Sequence, residues 1–364
     1  MKILYISDLH ADFKNLECAK AYSDRNIHPD VTIVSGDLAD SVFSIEEAEK
    51  HLEIFEKANA VAESEMDRRF SVHGFPVKLS PYEKIAITQE IARQIILKKH
   101  YPDNLKDLAR TYLHHLYSTA GKNYEAQYSK ILEIMGEDII VLPGNYDTNL
   151  EINYDISTEK RESALHKQNI HKKVKTIDDI VIAGYGGAAS AEGIPISPLL
   201  IPQEITVFFN EYIEVHPITG KVLPVSEPLE FLNKVSPHIA LTHSPPKGIC
   251  DESKNGDHAG SWGIEAYVKT GKSKILLCGH IHEGKGIRLV IGKEGNTVVV
   301  NPGSLSSENG QGTFAVIELA KDAEFQNARI YKVVNPNDFE YGVFHEESYI
   351  ATPLEIKEIS LKKP

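Results

Sequence analysis

The chain has 364 residues, of which 41% are hydrophobic and 25% are charged, and its formal net charge is −13. This composition is ordinary for a globular protein and suffices for two average domains or for one large domain with insertions. The acidic balance argues against a general nucleic-acid binder, because phosphate backbones require clustered lysines and arginines. The three cysteines form no CxxC pair, which is typical of a reducing compartment.

The amino terminus runs directly into a strand-like segment and shows no basic and apolar regions of a secretory signal. The most apolar stretch, residues 194–209, is interrupted by prolines and carries Glu204, so it does not predict a membrane span. We therefore expect a cytoplasmic protein without a membrane span.

Short runs rich in isoleucine and valine recur along the chain and predict buried strands. Helical patterns separate several of them, over residues 14–27 and over residues 261–270, where Ser261 is a candidate N-cap. This alternation predicts an α/β domain whose strands are buried on both faces. The predicted strands cover residues 3–6, 31–34, 139–142, 180–183, 239–241, 275–277, 297–300, 314–319 and 328–333.

Two insertions interrupt this alternation. Residues 41–136 carry apolar residues at helical spacing and predict a helical insertion, with one helix beginning at Ser80-Pro81. Residues from about 186 to 237 are rich in proline and glycine and predict an irregular insertion. The helices of the first insertion must bury their apolar stripes on the α/β domain or on another subunit, so a homo-oligomer through this insertion is one of two alternatives.

Five polar motifs each follow a predicted strand, at the edge of an α/β sheet where ligands bind. The Asp-x-His and His-x-His spacings put both side chains on one side of an extended segment, so either pair can face one metal cluster. Carboxylate, amide and imidazole donors suit Mn²⁺, Fe or Zn²⁺ better than soft metals. The motifs are Ser7-Asp8-Leu9-His10, Ser35-Gly36-Asp37, Gly144-Asn145-Tyr146-Asp147, Thr242-His243 and Gly279-His280-Ile281-His282.

These motifs resemble those of the metallophosphoesterase (calcineurin-like phosphoesterase) superfamily. Two further segments, Leu241-Thr242-His243-Ser244-Pro245-Pro246 and Asn301-Pro302-Gly303-Ser304, look like its small bacterial and archaeal predicted phosphoesterases. The resemblance covers residues 1–40 and 138–320. It implies an α/β fold in which a two-layered β-sandwich is flanked by helices (αββα). One domain over residues 1–364 would then carry both insertions.

The resemblance also implies a centre of two divalent metal ions with seven protein ligands. The reaction would be hydrolysis of a phosphate ester by a hydroxide held between the ions. We expect a small phosphodiester rather than a monoester, because the motifs contain no lysine or arginine to help bind a dianion. The implied ligands are Asp8, His10 and His282 for one ion, Asn145, His243 and His280 for the other, and Asp37 as the bridge.

One position departs from the family's pattern. Many members carry a histidine after Gly-Asn that is thought to protonate the leaving group, but this chain has Tyr146 there. A phenol, with an unperturbed pKa of about 10, is a poorer proton donor at neutral pH than an imidazolium. We therefore predict catalytic roles for Asn145 as ligand and amide donor and for Tyr146 as a hydrogen-bond donor. His258 is either a loop histidine or a substitute general acid.

Two other functions stay open at this point. Some proteins of this fold serve as scaffolds or binding modules. The complete set of implied ligands in this chain argues against that function. A metal-dependent nuclease is the other alternative, and the lack of a basic stripe argues against it. No organic cofactor is predicted.

Overall fold

The computed structural model describes residues 1–40, 71–72, 75–76, 92, 95–97, 99, 101–148, 150, 162–189, 208–215, 222–306, 312–333 and 343–349. The helices are α1 (Phe13–Tyr22), α2 (Asp103–Met135), α3 (Glu227–Val235) and α4 (Trp262–Val268), and a π-helical turn at Ser23–Ile27 continues α1. Among the helices described, none combines the length and hydropathy needed to cross a bilayer.

The strands are β1 (Lys2–Ser7), β2 (Val31–Ser35), β3 (Ser71–Val72), β4 (Phe75–Pro76), β5 (Ile139–Leu142), β6 (Lys173–Ile177), β7 (Ile180–Tyr185), β8 (Ala188–Ala189) and β9 (Phe208–Phe209). They continue with β10 (Glu211–Val215), β11 (Val222–Ser226), β12 (Ile239–Thr242), β13 (Ile275–Leu277), β14 (Gly286–Ile291), β15 (Asn296–Asn301), β16 (Gly312–Leu319), β17 (Phe325–Val333) and β18 (Val343–Tyr349).

Two six-stranded sheets form the centre of the molecule. The first has the order β18-β17-β16-β1-β2-β5, with β1, β2 and β5 parallel. The second has the order β14-β15-β13-β12-β7-β6, with β15, β13, β12 and β7 parallel. The parallel strands of each sheet therefore end at a common edge, where the loops that follow them can meet.

The two sheets pack face to face around a core of aliphatic side chains. Alternation along β1 sends Ile3 and Tyr5 into this core and Leu4 and Ile6 to the opposite face. From the second sheet, residues such as Ile182 enter the same core. Because the strands are covered on both faces, they read as continuous apolar runs.

Helices cover the outer face of each sheet. Helices α1 and α2 pack on the first sheet through side chains such as Leu16 and Tyr128, and α3 and α4 pack on the second through Leu232 and Ile264. The resulting order of layers is helix, sheet, sheet, helix. The predicted mixed α/β sandwich flanked by helices is therefore confirmed.

All nine predicted strands are present, and the strands that the sequence did not predict are mostly at edges. In edge strand β6, four residues are exposed and one is half-buried, so the strand lacks an apolar run. The predicted helix over residues 14–27 is α-helical only as far as Tyr22. Helix α4 begins where predicted, because the Ser261 side chain accepts a hydrogen bond from the amide of Ile264.

The helical insertion is described chiefly through α2. Its two apolar stripes, one including Tyr112 and Leu116 and one including Tyr124 and Tyr128, belong to a single 33-residue helix. Histidines 114 and 115 are exposed on it. The predicted helix start at Ser80-Pro81 lies outside the described residues.

Within the second insertion, the described part is more regular than predicted. Strands β10 and β11 form an antiparallel hairpin that leads directly into α3. The irregular character that proline and glycine suggested is therefore wrong for residues 211–215 and 222–235.

The inter-sheet core yields a stability prediction. Leu241 is fully buried between the sheets, whereas Ile291 at the end of β14 is 72% exposed. We expect Leu241→Ala to lower the free energy of unfolding by about 2–5 kcal/mol, because it leaves a cavity. Ile291→Ala is the matched control and should change it by less than about 0.5 kcal/mol. Equal effects in chemical denaturation would contradict the packing described.

Candidate metal centre

The carboxyl ends of five parallel strands bring the five motifs together. Asp8 follows β1, Asp37 follows β2, and the Gly144–Asp147 turn follows β5 in the first sheet. His243 follows β12 and His280 follows β13 in the second sheet. Main-chain hydrogen bonds join these loops, from the amide of His10 to the carbonyl of Asp37 at 2.8 Å and from the amide of Gly279 to the carbonyl of His243 at 2.8 Å.

One group of converging side chains consists of Asp8, His10 and His282, whose donor atoms lie within 4.8 Å of one another. His282 Nε2 is 3.2 Å from Asp8 Oδ1, and the rings of His10 and His282 are 5.3 Å apart. Asp8 is buried, while the side chain of His282 is 41% exposed. This group therefore has one face towards solvent.

A second group consists of Asp37, His243 and His280, again with donor atoms within 4.8 Å of one another. His243 Nε2 is 2.9 Å from Asn145 Oδ1, so the amide of Asn145 joins this group. The rings of His243 and His280 are 4.9 Å apart. The structure thus brings together all seven residues that the sequence analysis proposed as ligands, in the two predicted sets.

Asp37 contacts both groups. Its Oδ2 is 3.9 Å from His10 Nε2 in the first group, and its Oδ1 is 3.4 Å from His243 Nε2 in the second. The same Oδ1 accepts a hydrogen bond from the amide of Tyr146 at 2.8 Å. One carboxylate therefore offers one oxygen to each side of the site.

The backbone of the site is held in an uncommon conformation. Asp8, His10, Asp37 and His280 all have φ between 43° and 67°, in the left-handed region that residues with a Cβ adopt at a cost. Strain of this kind persists only where the surrounding structure imposes it, and it clusters at functional sites.

Glycines allow the loops that carry the two groups to approach one another. A Cβ added to Gly36 would lie 1.8 Å from His243 Nδ1, and one added to Gly144 would lie 2.2 Å from Asp37 Oδ1. A Cβ on Gly279 would lie 2.2 Å from Asp8 Oδ2. Gly36 alone among these three has a positive φ, so close approach rather than a sharp turn explains the other two.

Burial and mutual contact shift the pKa values of the carboxylates. Burial by itself would raise the pKa of Asp8, but the hydrogen bond with His282 and the charge of His243 outweigh it and hold this pKa well below its usual range. Burial also opposes ionisation of Asp37, and His243 again outweighs it, so the pKa of Asp37 is lowered. Both carboxylates are therefore ionised at neutral pH.

The histidines are shifted in opposite directions. Burial would lower the pKa of His243, but Asp37 beside it raises that pKa to about 9. Burial and the charge of His243 lower the pKa of His280 to about 4. In the protein alone, a proton on His243 therefore offsets the buried carboxylates. A cation would take over this role and displace the proton, as ligation requires.

The residues fit divalent metal ions on further grounds. His10 Nε2 is buried and has no hydrogen-bond partner among the described residues, although it faces Asp37 Oδ2. Their 3.9 Å separation is too long for a hydrogen bond but suits two ligands that each lie about 2.0–2.2 Å from one cation. The donors are oxygen and imidazole nitrogen, as Mn²⁺, Fe and Zn²⁺ prefer.

Asp147 is a structural member of the site whose role the sequence analysis did not assign. Its buried carboxylate accepts hydrogen bonds from the amides of Leu38 and Ala39 at 3.0 and 3.1 Å and from Gly144 at 2.8 Å. Burial and the negative charge of Asp37 raise its pKa to about 7. Asp147 thus ties the Asp37 loop to the Asn145 loop, and its place in the Gly-Asn-x-Asp motif was the available signal.

Helix α2 contacts the same two loops. The Tyr124 hydroxyl donates to the carbonyl of Tyr146 at 2.8 Å, and the Tyr128 hydroxyl accepts from the amide of Thr148 at 3.1 Å. The Gln127 side chain accepts from the amide of Asp40 at 2.9 Å. The described part of the helical insertion therefore packs directly behind the loops that carry Asp37 and Asn145.

The two other residues with predicted catalytic roles differ in position. The ring of Tyr146 lies edge-on against His10, with centroids 5.3 Å apart, and burial together with the charge of Asp37 raises the pKa of its phenol. His258 lies outside both groups, on the loop between β12 and α4, where its Nδ1 is 2.7 Å from Asp251 Oδ1.

Comparison with known families agrees with this architecture. Residues 225–328 match the family model described as "Metallophosphoesterase, calcineurin superfamily". This segment therefore matches the superfamily that the motifs resemble. The matched segment contains His243, His280 and His282.

A similar protein matches less than half of the chain. An uncharacterized protein of Methanocaldococcus jannaschii is 32% identical over 170 residues, which are 45% of this chain and 63% of that protein. The chain thus spans less than two thirds of this relative.

Among solved structures, the NAD nucleotidase of Haemophilus influenzae is 10% identical over 96% of this chain and 49% of its own, with a TM-score of 0.36. A conserved uncharacterized protein (predicted phosphoesterase) of Streptococcus pneumoniae is 10% identical over 96% of this chain and 97% of its own, with a TM-score of 0.27. Likenesses at these TM-scores establish no shared function.

The close approach at Gly36 yields a prediction about metal binding. We expect Gly36→Ala to abolish metal retention, because the new Cβ would collide with the imidazole of His243. Gly136→Ala is the control, since Gly136 also has a positive φ but an added Cβ there meets no atom within 4 Å. It should cost about 1–3 kcal/mol of stability and leave metal content unchanged. Normal metal content in Gly36→Ala, by elemental analysis, would contradict the site geometry.

Proposed function

We propose that the chain hydrolyses phosphate esters at a centre of two divalent cations. The observation that carries the proposal is the position of Asp37, whose two carboxylate oxygens face His10 and His243 in separate ligand groups. A carboxylate shared by two groups of ligands is the arrangement that a pair of adjacent cations requires. The metallophosphoesterase segment at residues 225–328 supports the same reaction class.

Seven side chains would hold the cations. Asp8, His10 and His282 would hold one, and Asn145, His243 and His280 the other, with Asp37 between them. Bound there, the cations would supply Lewis-acid chemistry, lowering the pKa of a water molecule and neutralising the phosphoryl oxygens.

The surrounding residues would keep these ligands in place. The amide of His280 donates to Asp8 at 3.0–3.1 Å, so the carboxylate is oriented by the loop that supplies ligands to both cations. Ser304 donates its hydroxyl to the carbonyl of Asp8 at 2.8 Å, and the Asn301 amide binds the carbonyl of Ile281 at 3.0 Å. Preorganised ligands of this kind lower the cost of binding the transition state.

We favour a small phosphodiester as substrate. The ion pairs at Asp8 and Asp37 join these carboxylates to imidazoles, and the five motifs contain no lysine or arginine. A monoester dianion carries one more negative charge than a diester and would benefit more from a fixed cationic side chain. Helix α2 contacts the Asp37 and Asn145 loops, so the helical insertion to which it belongs would lie beside the site and limit the access of larger esters.

A substitution at Asp37 tests the proposal. Asp37→Asn keeps the shape of the side chain but removes the charge that two cations would share. We expect metal content to fall below two ions per chain and hydrolysis of bis(4-nitrophenyl) phosphate to fall by orders of magnitude. Asp103→Asn is the control, because the Asp103 side chain is 97% exposed at the start of α2.

Two outcomes would contradict the proposal. An Asp37→Asn protein with wild-type metal content and wild-type turnover would exclude a shared carboxylate. A wild-type protein that retains metal but hydrolyses no phosphate ester, including diesters, monoesters and single-stranded DNA, would favour the binding-module alternative.

The contacts of Tyr146 give a separate prediction. Its main chain donates to Asp37 and accepts from Tyr124, and Tyr146→Phe retains both contacts. We therefore expect a loss of about tenfold or less in kcat/KM, about 1.4 kcal/mol, from removal of one hydroxyl near the substrate. The loss should be the same across methyl aryl phosphates of increasing leaving-group basicity. A loss confined to the most basic leaving groups would show that Tyr146 is the proton donor.

A further inference from the structure

A buried carboxylate outside the metal centre holds a half-exposed histidine. Asp251 is 1% exposed, and its Oδ2 accepts hydrogen bonds from the amides of Gly248 and Gly260, both at 2.9 Å. Its Oδ1 lies 2.7 Å from Nδ1 of His258, whose side chain is 51% exposed. Because a carboxylate only accepts, the proton of this bond belongs on Nδ1, and Nε2 is the nitrogen left for another partner.

The loop is built around this contact. Gly248, which donates to Asp251, has a φ of 76°, a conformation that favours glycine. Gly260, the other donor, has no room for a side chain, because an added Cβ would lie 2.7 Å from the carbonyl oxygens of Pro245 and Pro246. A β-bridge between Glu252 and His258 closes the loop. The orientation of the imidazole is therefore determined by the fold of the loop.

This loop lies against the metal-ligand loops. It begins directly after His243 and runs to Ser261 at the start of α4. In its middle, the Asn301 amide donates both to the carbonyl of Cys250 and to the carbonyl of Ile281, each at 3.0 Å. Ile281 stands between two proposed ligands, so the residue before Asp251 is tied to the loop that carries His280 and His282.

We propose that His258 donates the proton to the leaving group and that Asp251 is the residue that positions it, an inference that rests on the proposed function. The arrangement of a histidine that a buried carboxylate orients through Nδ1 is the one that acid–base catalysis uses repeatedly. Many family members carry a proton-donating histidine at the position of Tyr146. In this chain, His258 would supply the proton from a different loop.

The proposed step forms one bond to phosphorus, breaks another and transfers one proton from His258. A water oxygen forms a bond to phosphorus while the bond between phosphorus and the leaving oxygen breaks. The electron pair of the broken bond stays on the leaving oxygen, which takes the proton from Nε2 of protonated His258. The surplus proton of the water passes to solvent, and the neutral imidazole regains a proton from solvent.

The test is a rate series over methyl aryl phosphates whose leaving phenols range from 4-nitrophenol to phenol. His258→Asn should change kcat/KM for the 4-nitrophenyl ester by less than about threefold, because a good leaving group departs without a proton. It should lower kcat/KM for the phenyl ester by about 100-fold or more, within the usual range of general acid catalysis.

A matched control uses His28, an exposed histidine at the end of the π-helical turn, with a φ of 50° that asparagine tolerates. His28→Asn should leave the whole series unchanged. Metal content of each variant is measured alongside, and it should equal that of the wild type, because neither histidine belongs to the proposed ligand set.

Asp251→Asn tests positioning rather than proton donation. It should reproduce the dependence on the leaving group in milder form, and the double variant with His258→Asn should lose no more than His258→Asn alone. A merely structural role would lower the rate for every ester equally. Because Asp251 is buried, its variant is first examined by thermal unfolding, and His258→Asn carries the test if Asp251→Asn does not fold.

The outcomes separate the two proposals. A wild-type protein without metal-dependent hydrolysis of the 4-nitrophenyl ester overturns the proposed function, and the role of His258 falls with it. A wild-type protein that hydrolyses the series, with a His258→Asn loss that is absent or equal for all esters, overturns the proton-donor role and leaves the proposed function standing. Loss of metal in His258→Asn would also overturn the proton-donor role.

Discussion

The carboxylate of Asp37 lies where the loops of the two sheets meet, and the geometry of the site depends on the contacts it makes there. Its oxygens face His10 and His243, and it accepts a hydrogen bond from the amide of Tyr146. An ionised carboxylate that is fully buried is costly unless it is paired. Histidine charge offsets part of this cost in the protein alone, and a pair of cations would offset it more fully.

This constraint explains several features that would otherwise be unfavourable. Residues with left-handed backbones, including Asp8 and Asp37, are tolerated because the loops are bonded to one another and to Asp147. Glycines stand where the main chain of one loop touches a proposed ligand on another, as Gly36 does at His243. Helix α2 in turn supports the Asn145 loop, because two of its tyrosines form hydrogen bonds to the main chain of that loop. A change in α2 can therefore alter the position of a proposed ligand that it does not contact.

Sequence patterns were sufficient for the central strands and for the side chains that converge in the two groups. Central strands such as β12 are buried on both faces and appear as short isoleucine-rich runs, whereas an exposed edge strand such as β6, with two lysines, has no such signal. Gly121 lies within α2 and separates its two apolar stripes, so the sequence did not show that they form one helix.

Contacts that depend on loop conformation were beyond the sequence. Asp251 and His258 are seven residues apart in a segment without periodicity, and only the folded loop shows that one holds the other. The roles of Asp147 and Asn301 likewise depend on which amides and carbonyls their side chains reach. Motif spacing identifies residues that end a strand, but it does not identify the hydrogen bonds that orient them.

The central claim is that Asp37 is shared by two cations. Crystals of the protein soaked in Mn²⁺ and measured at the manganese absorption edge test it most directly. We predict two anomalous peaks about 3.5–4 Å apart, one beside Asp8, His10 and His282 and one beside Asn145, His243 and His280, with Asp37 in contact with both. A single peak, or two peaks of which one is out of reach of Asp37, would contradict it.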